Sequence, residues 1–228
     1  MDMTYTYFIW SVLLFICWLV VYVLNKYNKV KMLKMSVFTL PLGLSEPLFY
    51  PSYWFPPTLF DLGNKTGLDI ESLIFSFAVG GLGCALYDYF YGHQEKSISC
   101  SQRHGHQHRF HKLSLSSPVW SFLLLELFTP WNAIYTASFA LFIGAIGTLY
   151  CRPELKLRIV KSALMFTVFY FLFFSAMILS HPDFVSLYWN HAQISGFQIV
   201  NIPIEELLFA FTFGAMWGGF YEHNYWLK

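Results

Sequence analysis

Apolar residues fall in seven blocks, 5–24, 35–50, 68–91, 118–129, 133–151, 162–180 and 202–225, separated by short polar stretches. Blocks of about twenty apolar residues have helix length, and at ~1.5 Å rise per residue each reaches ~30 Å, the thickness of a bilayer's hydrocarbon core. The pattern predicts an all-α polytopic membrane protein. Two blocks fall short of that length. Block 35–50 contains Pro41, Gly43 and Pro47, which shorten or break a helix. Block 118–129 is below the ~17 residues that a crossing needs.

Basic residues decide between six and seven crossings. Lys26, Lys29, Lys31 and Lys34 form one cluster, Lys96, Arg103, Arg109 and Lys112 a second, and Arg152, Lys156, Arg158 and Lys161 a third. Cytoplasmic loops collect Lys and Arg. Seven crossings with the N-terminus outside place all three clusters and Lys228 in the cytoplasm and leave Lys65 alone outside. Six would put the third cluster opposite the other two, so seven is the expectation. Composition agrees, since 56% of residues are hydrophobic and 12% charged, against about a quarter charged in soluble domains. Block 5–24 follows Asp2 instead of a basic segment and lacks a small-residue cleavage site, so it is expected to remain as the first crossing. A net charge of +1 gives no sign of a nucleic-acid partner.

The chain also repeats itself. With Glu71 set against Glu205, blocks 68–91 and 202–225 share Ile70/Ile204, Glu71/Glu205, Leu73/Leu207, Phe75/Phe209, Phe77/Phe211, Gly80/Gly214, Tyr87/Tyr221 and Tyr91/Tyr225, with Asp88/Glu222 conserving charge. Upstream, Lys29, Lys31 and Lys34 match Lys156, Arg158 and Lys161 in the same helix–basic loop–helix context. This is the signature of tandem duplication. It predicts two parallel three-helix repeats, 1–91 and 132–228, joined by a basic, His-rich loop and a short linker helix, 92–131. The shared positions advance by three and four, one stripe on a helix. Gly80, Gly214 and Gly218 lie in it, so the third helices of the two repeats are expected to meet near a pseudo-two-fold axis along the membrane normal.

Carboxylates inside apolar blocks are the candidates for chemistry, because burying their charge in hydrocarbon is costly. They are Glu46, Glu71, Glu126, Glu205 and Glu206. Glu71, Glu205 and Glu206 also occupy first helical turns, where acids complement the helix dipole; Glu46 and Glu126 have no counterpart in the other repeat. The segment His104-Gly-His-Gln-His-Arg-Phe-His111 suits a transition metal by residue type. It lies in a polar, basic loop with no acid or Cys nearby, so it reads as an ordinary cytoplasmic loop, and no metal is expected. Cys17, Cys84, Cys100 and Cys151 show no metal or redox spacing and read as packing residues.

The string Asn201-Ile-Pro-Ile-Glu-Glu-Leu-Leu-Phe209, with the duplicated layout and basic loops, resembles the lycopene cyclase domain family, the small membrane-embedded carotenoid cyclases of bacteria, archaea and fungi. In that family a Pro-x-Glu-Glu/Asp motif opens the third helix of each repeat, and fused forms join two repeats by an additional helix. Pro203-Ile-Glu205-Glu206 fits the motif in full; Asp69-Ile-Glu71-Ser72 keeps only Glu71. The resemblance implies an intramolecular lyase of a bacterial inner membrane that closes rings on a hydrophobic isoprenoid or carotenoid without a redox cofactor. A proton goes to the terminal double bond, the ring closes on the cation, and a base removes a proton. Paired carboxyls suit both steps, since two in one apolar site resist ionising together. Glu71 and Glu205 are expected to form a cross-repeat acid–base pair supported by Glu206. Phe75, Phe209, Tyr87 and Tyr221 are expected to line the substrate and steady the cation through their ring faces. The competing expectation is a diverged, non-enzymatic member that binds a polyene or lipid or carries a proton or metal ion.

Overall fold

The structure is a computed structural model that describes residues 3–25, 28–92, 97–98, 103 and 105–227. Lys26, Lys96, Cys100, His104 and Lys228 of the sequence argument lie outside the described residues.

Each apolar block becomes helix. α1 is Thr6–Leu24, α2 Lys29–Thr39, α3 Glu46–Phe49, α4 Leu62–Thr66, α5 Ile70–Tyr91, α6 His111–Phe128, α7 Ala133–Cys151, α8 Lys156–Ser180, α9 Phe184–Tyr188 and α10 Ile204–Tyr225. Four of the helical segments, Thr6–Leu24, Ile70–Tyr91, Ala133–Cys151 and Pro153–Ser180, are long and apolar enough to cross a membrane. α10 equals α5 in length but carries Glu205, Glu206 and Glu222. The block interrupted by prolines is bent rather than lost. α2 tightens into the 3-10 turn Leu40–Ser45 and resumes as α3, because Pro41 and Pro47 withhold backbone N–H groups that α-helical bonding would use.

Local signals set the helix starts. Asp69 caps α5 by accepting from the Ser72 amide at 2.5 Å, and Asn132 caps α7 by accepting from Ile134 N at 3.2 Å. A two-stranded hairpin, β1 Gln198–Ile199 with β2 Ile202–Pro203, turns through Val200 and Asn201, both at positive φ. A two-residue turn of that hand joins antiparallel strands tightly, and it delivers Pro203 to the head of α10.

α5 and α10 pack on each other at the centre. α1 and α2 pack on α5, and α7 and α8 pack on α10, while α6 lies mainly against α7. The glycines make the close approaches, though toward a different neighbour than the stripe implied. A Cβ on Gly80 would sit 2.5 Å from Thr39 Cβ and 2.9 Å from the Met35 carbonyl of α2; one on Gly214 would sit 2.7 Å from Phe166 Cβ and 2.9 Å from the Ser162 carbonyl of α8. Gly80 thus seats α5 on α2, and Gly214 seats α10 on α8. Gly83, outside the shared stripe, is the one facing across the centre, toward Phe213 and Trp217 of α10.

At one end of the bundle the duplicated charges meet. Lys31 Nζ is 2.7 Å from Asp88 and 2.5 Å from Glu222; Arg158 is 2.9 Å from Glu222 and also contacts Asp88. All four side chains are buried. Each basic residue touches acids on both α5 and α10. The cations also cross over onto aromatic rings, Lys31 on Tyr221 and Arg158 on Tyr87, Lys34 on Tyr225 and Lys161 on Tyr91.

Candidate functional site

From the Glu206 end of the bundle along α10 to Phe220 runs an apolar chamber of about 460 Å³, within the size range of small-molecule sites. Its walls come from both halves and from the linker: Trp10 of α1, Phe75 of α5, Phe173 of α8, Phe209 and Phe213 of α10, and Pro118, Val119 and Phe122 of α6. Two carboxyls reach it, Glu46 and Glu206.

Glu206 is almost wholly surrounded by donors. Its Oε1 accepts from Tyr53 Oη at 2.6 Å and from Trp189 Nε1 at 3.1 Å, and its Oε2 accepts from Tyr170 Oη at 2.7 Å. Three donors thus converge on one buried carboxyl and fix its orientation. Glu46 has fewer. Trp54 Nε1 donates to Oε1 at 2.8 Å, and Ser72 Oγ donates to Oε2 at 2.9 Å. Ser72 is in turn 2.8 Å from Tyr7 Oη. Ser72 holds the place in α5 that Glu206 holds in α10, so the carboxyl missing from the first motif stands beside that place, supplied by Glu46.

The segments carrying these indoles pair with each other. Trp54 and Trp189 form an antiparallel bridge, Phe55 N donates to the Tyr188 carbonyl at 2.9 Å, and Asn190 N donates to the Tyr53 carbonyl at 2.9 Å. Their sequences repeat as well: Ser45-x-Pro47-x-Phe49-x-x-x-Tyr53-Trp54 matches Ser180-x-Pro182-x-Phe184-x-x-x-Tyr188-Trp189. Glu46 therefore does have a counterpart, His181, at a spacing one residue longer than that of the third helices. That motif was the signal by which Glu46, Trp54 and Trp189 were legible in advance.

The other expected site residues divide. Phe75 and Phe209 line the chamber, and Tyr87 and Tyr221 do not: they face Arg158 and Lys31 at the opposite end. Glu71 and Glu205 are buried but are not among the lining residues. Glu71 Oε1 accepts from the backbone N–H of Leu59 at 2.7 Å. Glu205 Oε1 accepts from the backbone N–H of Ser195 at 2.8 Å and from Tyr135 Oη at 2.5 Å. The two acids hold equivalent loops onto the starts of α5 and α10. Glu126 sits half-buried near the end of α6, away from the lining.

The His-rich segment is also not what its sequence context implied. His108 and His111 approach Cys151, distant in sequence, with Nδ1–Sγ distances of 3.3 and 3.4 Å.

Comparison with known proteins gives a family match over the second half. The model described as lycopene cyclase matches residues 132–224, which hold α7, α8 and α10 with the Pro203-Ile-Glu205-Glu206 motif. No curated protein and no solved structure matches the chain.

Proposed function

From the match of residues 132–224 to the lycopene cyclase model, we propose that the chain is a membrane-embedded intramolecular lyase closing end rings on lycopene or a related linear isoprenoid. The observation that carries the reading is Glu206: the second acid of the family motif projects into an aromatic chamber and is held there by Tyr53, Tyr170 and Trp189. In this reading Glu46, with fewer donors, delivers a proton to the terminal double bond. The resulting tertiary cation lies among Phe75, Phe209 and neighbouring rings, whose faces stabilise positive charge. Ring closure moves the cation inward, and Glu206 removes a proton to form the ring double bond. One proton enters and one leaves, so the product is an isomer of the substrate. Proton transfer from Glu206 back to Glu46 resets the pair.

Two tandem three-helix repeats with a linker crossing are part of the same proposal. The crossed contacts of Lys31 and Arg158, the equivalent loop anchors Glu71 and Glu205, and the bridge between Trp54 and Trp189 support it. So does the bent run from α2 to α3, which extends an eleven-residue helix toward crossing length. The basic clusters favour an orientation with the N-terminus outside and the chamber toward the outer face of a bacterial inner membrane.

The test is expression in a lycopene-accumulating host with pigments separated by chromatography. Wild type should convert the linear pigment to cyclic products. Glu206→Gln and Glu46→Gln should each abolish conversion at normal protein level, because Gln keeps the shape but neither gives nor takes the proton. Glu71→Gln and Glu205→Gln keep an amide oxygen for the loop N–H groups and should retain activity. Loss in Glu205→Gln with survival in Glu206→Gln would reverse the assignment in favour of the acid outside the chamber. Folded wild type that leaves the pigment linear would sink the cyclase reading and favour the non-enzymatic one.

A further inference from the structure

Beyond the Phe220 end of the chamber, three metal-ligating side chains converge with a fourth, His223, beside them, from three separate stretches of chain. His108 lies in the 3-10 turn His106–His108, His111 opens α6, Cys151 ends α7, and His223 sits in the last turn of α10. The ligand atoms of His108, His111 and Cys151 all lie within 4.8 Å of one another. Their two Nδ1–Sγ distances, 3.3 and 3.4 Å, are near the ~3.6 Å that a tetrahedral zinc imposes between a thiolate at ~2.3 Å and an imidazole nitrogen at ~2.05 Å.

His223 lies outside that 4.8 Å group but next to it, and supplies a second, independent observation. It is fully buried, and its ring centroid is 4.6 Å from that of His111. Thr148 Oγ1 lies 3.1 Å from its Nδ1, while among the described residues no hydrogen-bond partner meets its Nε2. An Nδ1–H donated to Thr148 leaves the Nε2 lone pair free, the tautomer that a metal ligand needs and the usual outer-shell arrangement for one. A buried imidazole nitrogen without a partner is otherwise an uncompensated cost.

The surroundings close the cluster. Trp226 stacks on His111 at 3.9 Å and meets His108 edge-on at 5.0 Å. The neighbouring Arg152 is engaged by Glu154 at 2.6 Å and donates to the carbonyls of Glu222 and Leu227. Its charge opposes a cation, and the Cys151 thiolate together with Glu154 offsets it.

We propose that His108, His111 and Cys151 form a structural zinc site, closed as a four-coordinate one when the adjacent His223 turns its Nε2 toward the metal, and that it fastens the linker segment to the ends of α7 and α10. Binding releases the Cys151 thiol proton to solvent and involves no change of oxidation state. With no position open to water or substrate, the site is structural rather than catalytic. It fixes the start of α6, the helix whose Pro118, Val119 and Phe122 wall the chamber.

Purified full-length protein in detergent, stripped with a chelator and then titrated with Co²⁺ and Zn²⁺, tests this directly. Wild type should take up one tightly held equivalent. Cobalt should give tetrahedral ligand-field bands and a thiolate-to-metal charge-transfer band, both erased by added zinc. Cys151→Ser should lose the charge-transfer band, and His223→Gln should weaken zinc at least tenfold. Thr148→Val, which touches no proposed ligand atom on the metal side, should weaken it by ~10–100-fold. If Cys151→Ser fails to fold, His223→Gln and Thr148→Val, checked for monodispersity, carry the decision. The proposal is overturned if wild type retains no tight equivalent. It is equally overturned if folded His223→Gln and Thr148→Val bind zinc as wild type does, which would put the metal on other histidines.

Discussion

The buried charge cluster of Lys31, Asp88, Arg158 and Glu222 makes a quantitative prediction about what joins the two halves. Each carboxylate contacts both cations, and the four charges sum to zero. At about 3 Å and an effective dielectric of about 20, each contact is worth on the order of 5 kcal/mol before desolvation, and the cost of stripping water from four ions offsets most of that sum. Deleting one partner is a different matter, because the remaining charges stay buried without balance, at ~3–5 kcal/mol. Glu222→Gln and Asp88→Asn should therefore each lower stability by that amount, and by similar amounts, since the two acids are equivalent in the cluster. For a chain of this size that corresponds to a fall in Tm of ~6–20 °C, read by tryptophan fluorescence in detergent. Lys31→Met combined with Glu222→Gln restores neutrality around Arg158 and Asp88, so the double variant should be more stable than the summed singles by ~1–3 kcal/mol. A single variant melting within two degrees of wild type, or strict additivity in the double, would refute the reasoning.

Gly80→Ala and Gly214→Ala should each destabilise by ~1–3 kcal/mol, because the added Cβ meets backbone carbonyls of α2 and α8 at 2.9 Å; a stability unchanged in either denies the close approach. Gly92→Ala, where among the described residues a Cβ meets nothing within 4 Å but φ is +79° and ψ 158°, should cost ~1–3 kcal/mol from backbone strain alone, since that region is essentially confined to glycine. A reporter fused after Lys112 or Lys228 should score as cytoplasmic, and an external signal from either would overturn the seven-crossing orientation.

Much of the helical architecture was legible because it follows from composition and from the spacing of apolar blocks. Apolar blocks of helical length announced the helices, and paired positions such as Lys31/Arg158 and Asp88/Glu222 became members of one charge cluster. What the pattern did not contain was direction. A stripe of positions three and four apart says which residues share a face, not which neighbour that face meets. Gly80 and Gly214 therefore turned out to seat α5 and α10 on α2 and α8, and Tyr87 and Tyr221 to cover cations instead of the chamber. Depth was also hidden. Glu205 and Glu206 are adjacent in sequence, yet ~100° of helical rotation sends one to a loop amide and the other into the chamber. The approach of Cys151 and His223 to His108 and His111 was illegible for a simpler reason, since it arises only after the helices assemble.

The size of the chamber bears on how a long molecule is handled. About 460 Å³ lies in the lower half of the ~300–1,000 Å³ range of pockets that hold drug-sized ligands, well short of a forty-carbon chain. In the reaction proposed above, the chamber would take the tip of a forty-carbon polyene, and the rest of its length would lie outside, among the lipid tails, while the tip is held. A substrate with two reactive tips must then withdraw, turn end for end in the bilayer and be captured again. Between captures the half-processed molecule competes with fresh substrate on equal terms. Abundant substrate should therefore leave mostly singly closed product, and scarce substrate should drive the mixture toward double closure, with no change in the protein itself.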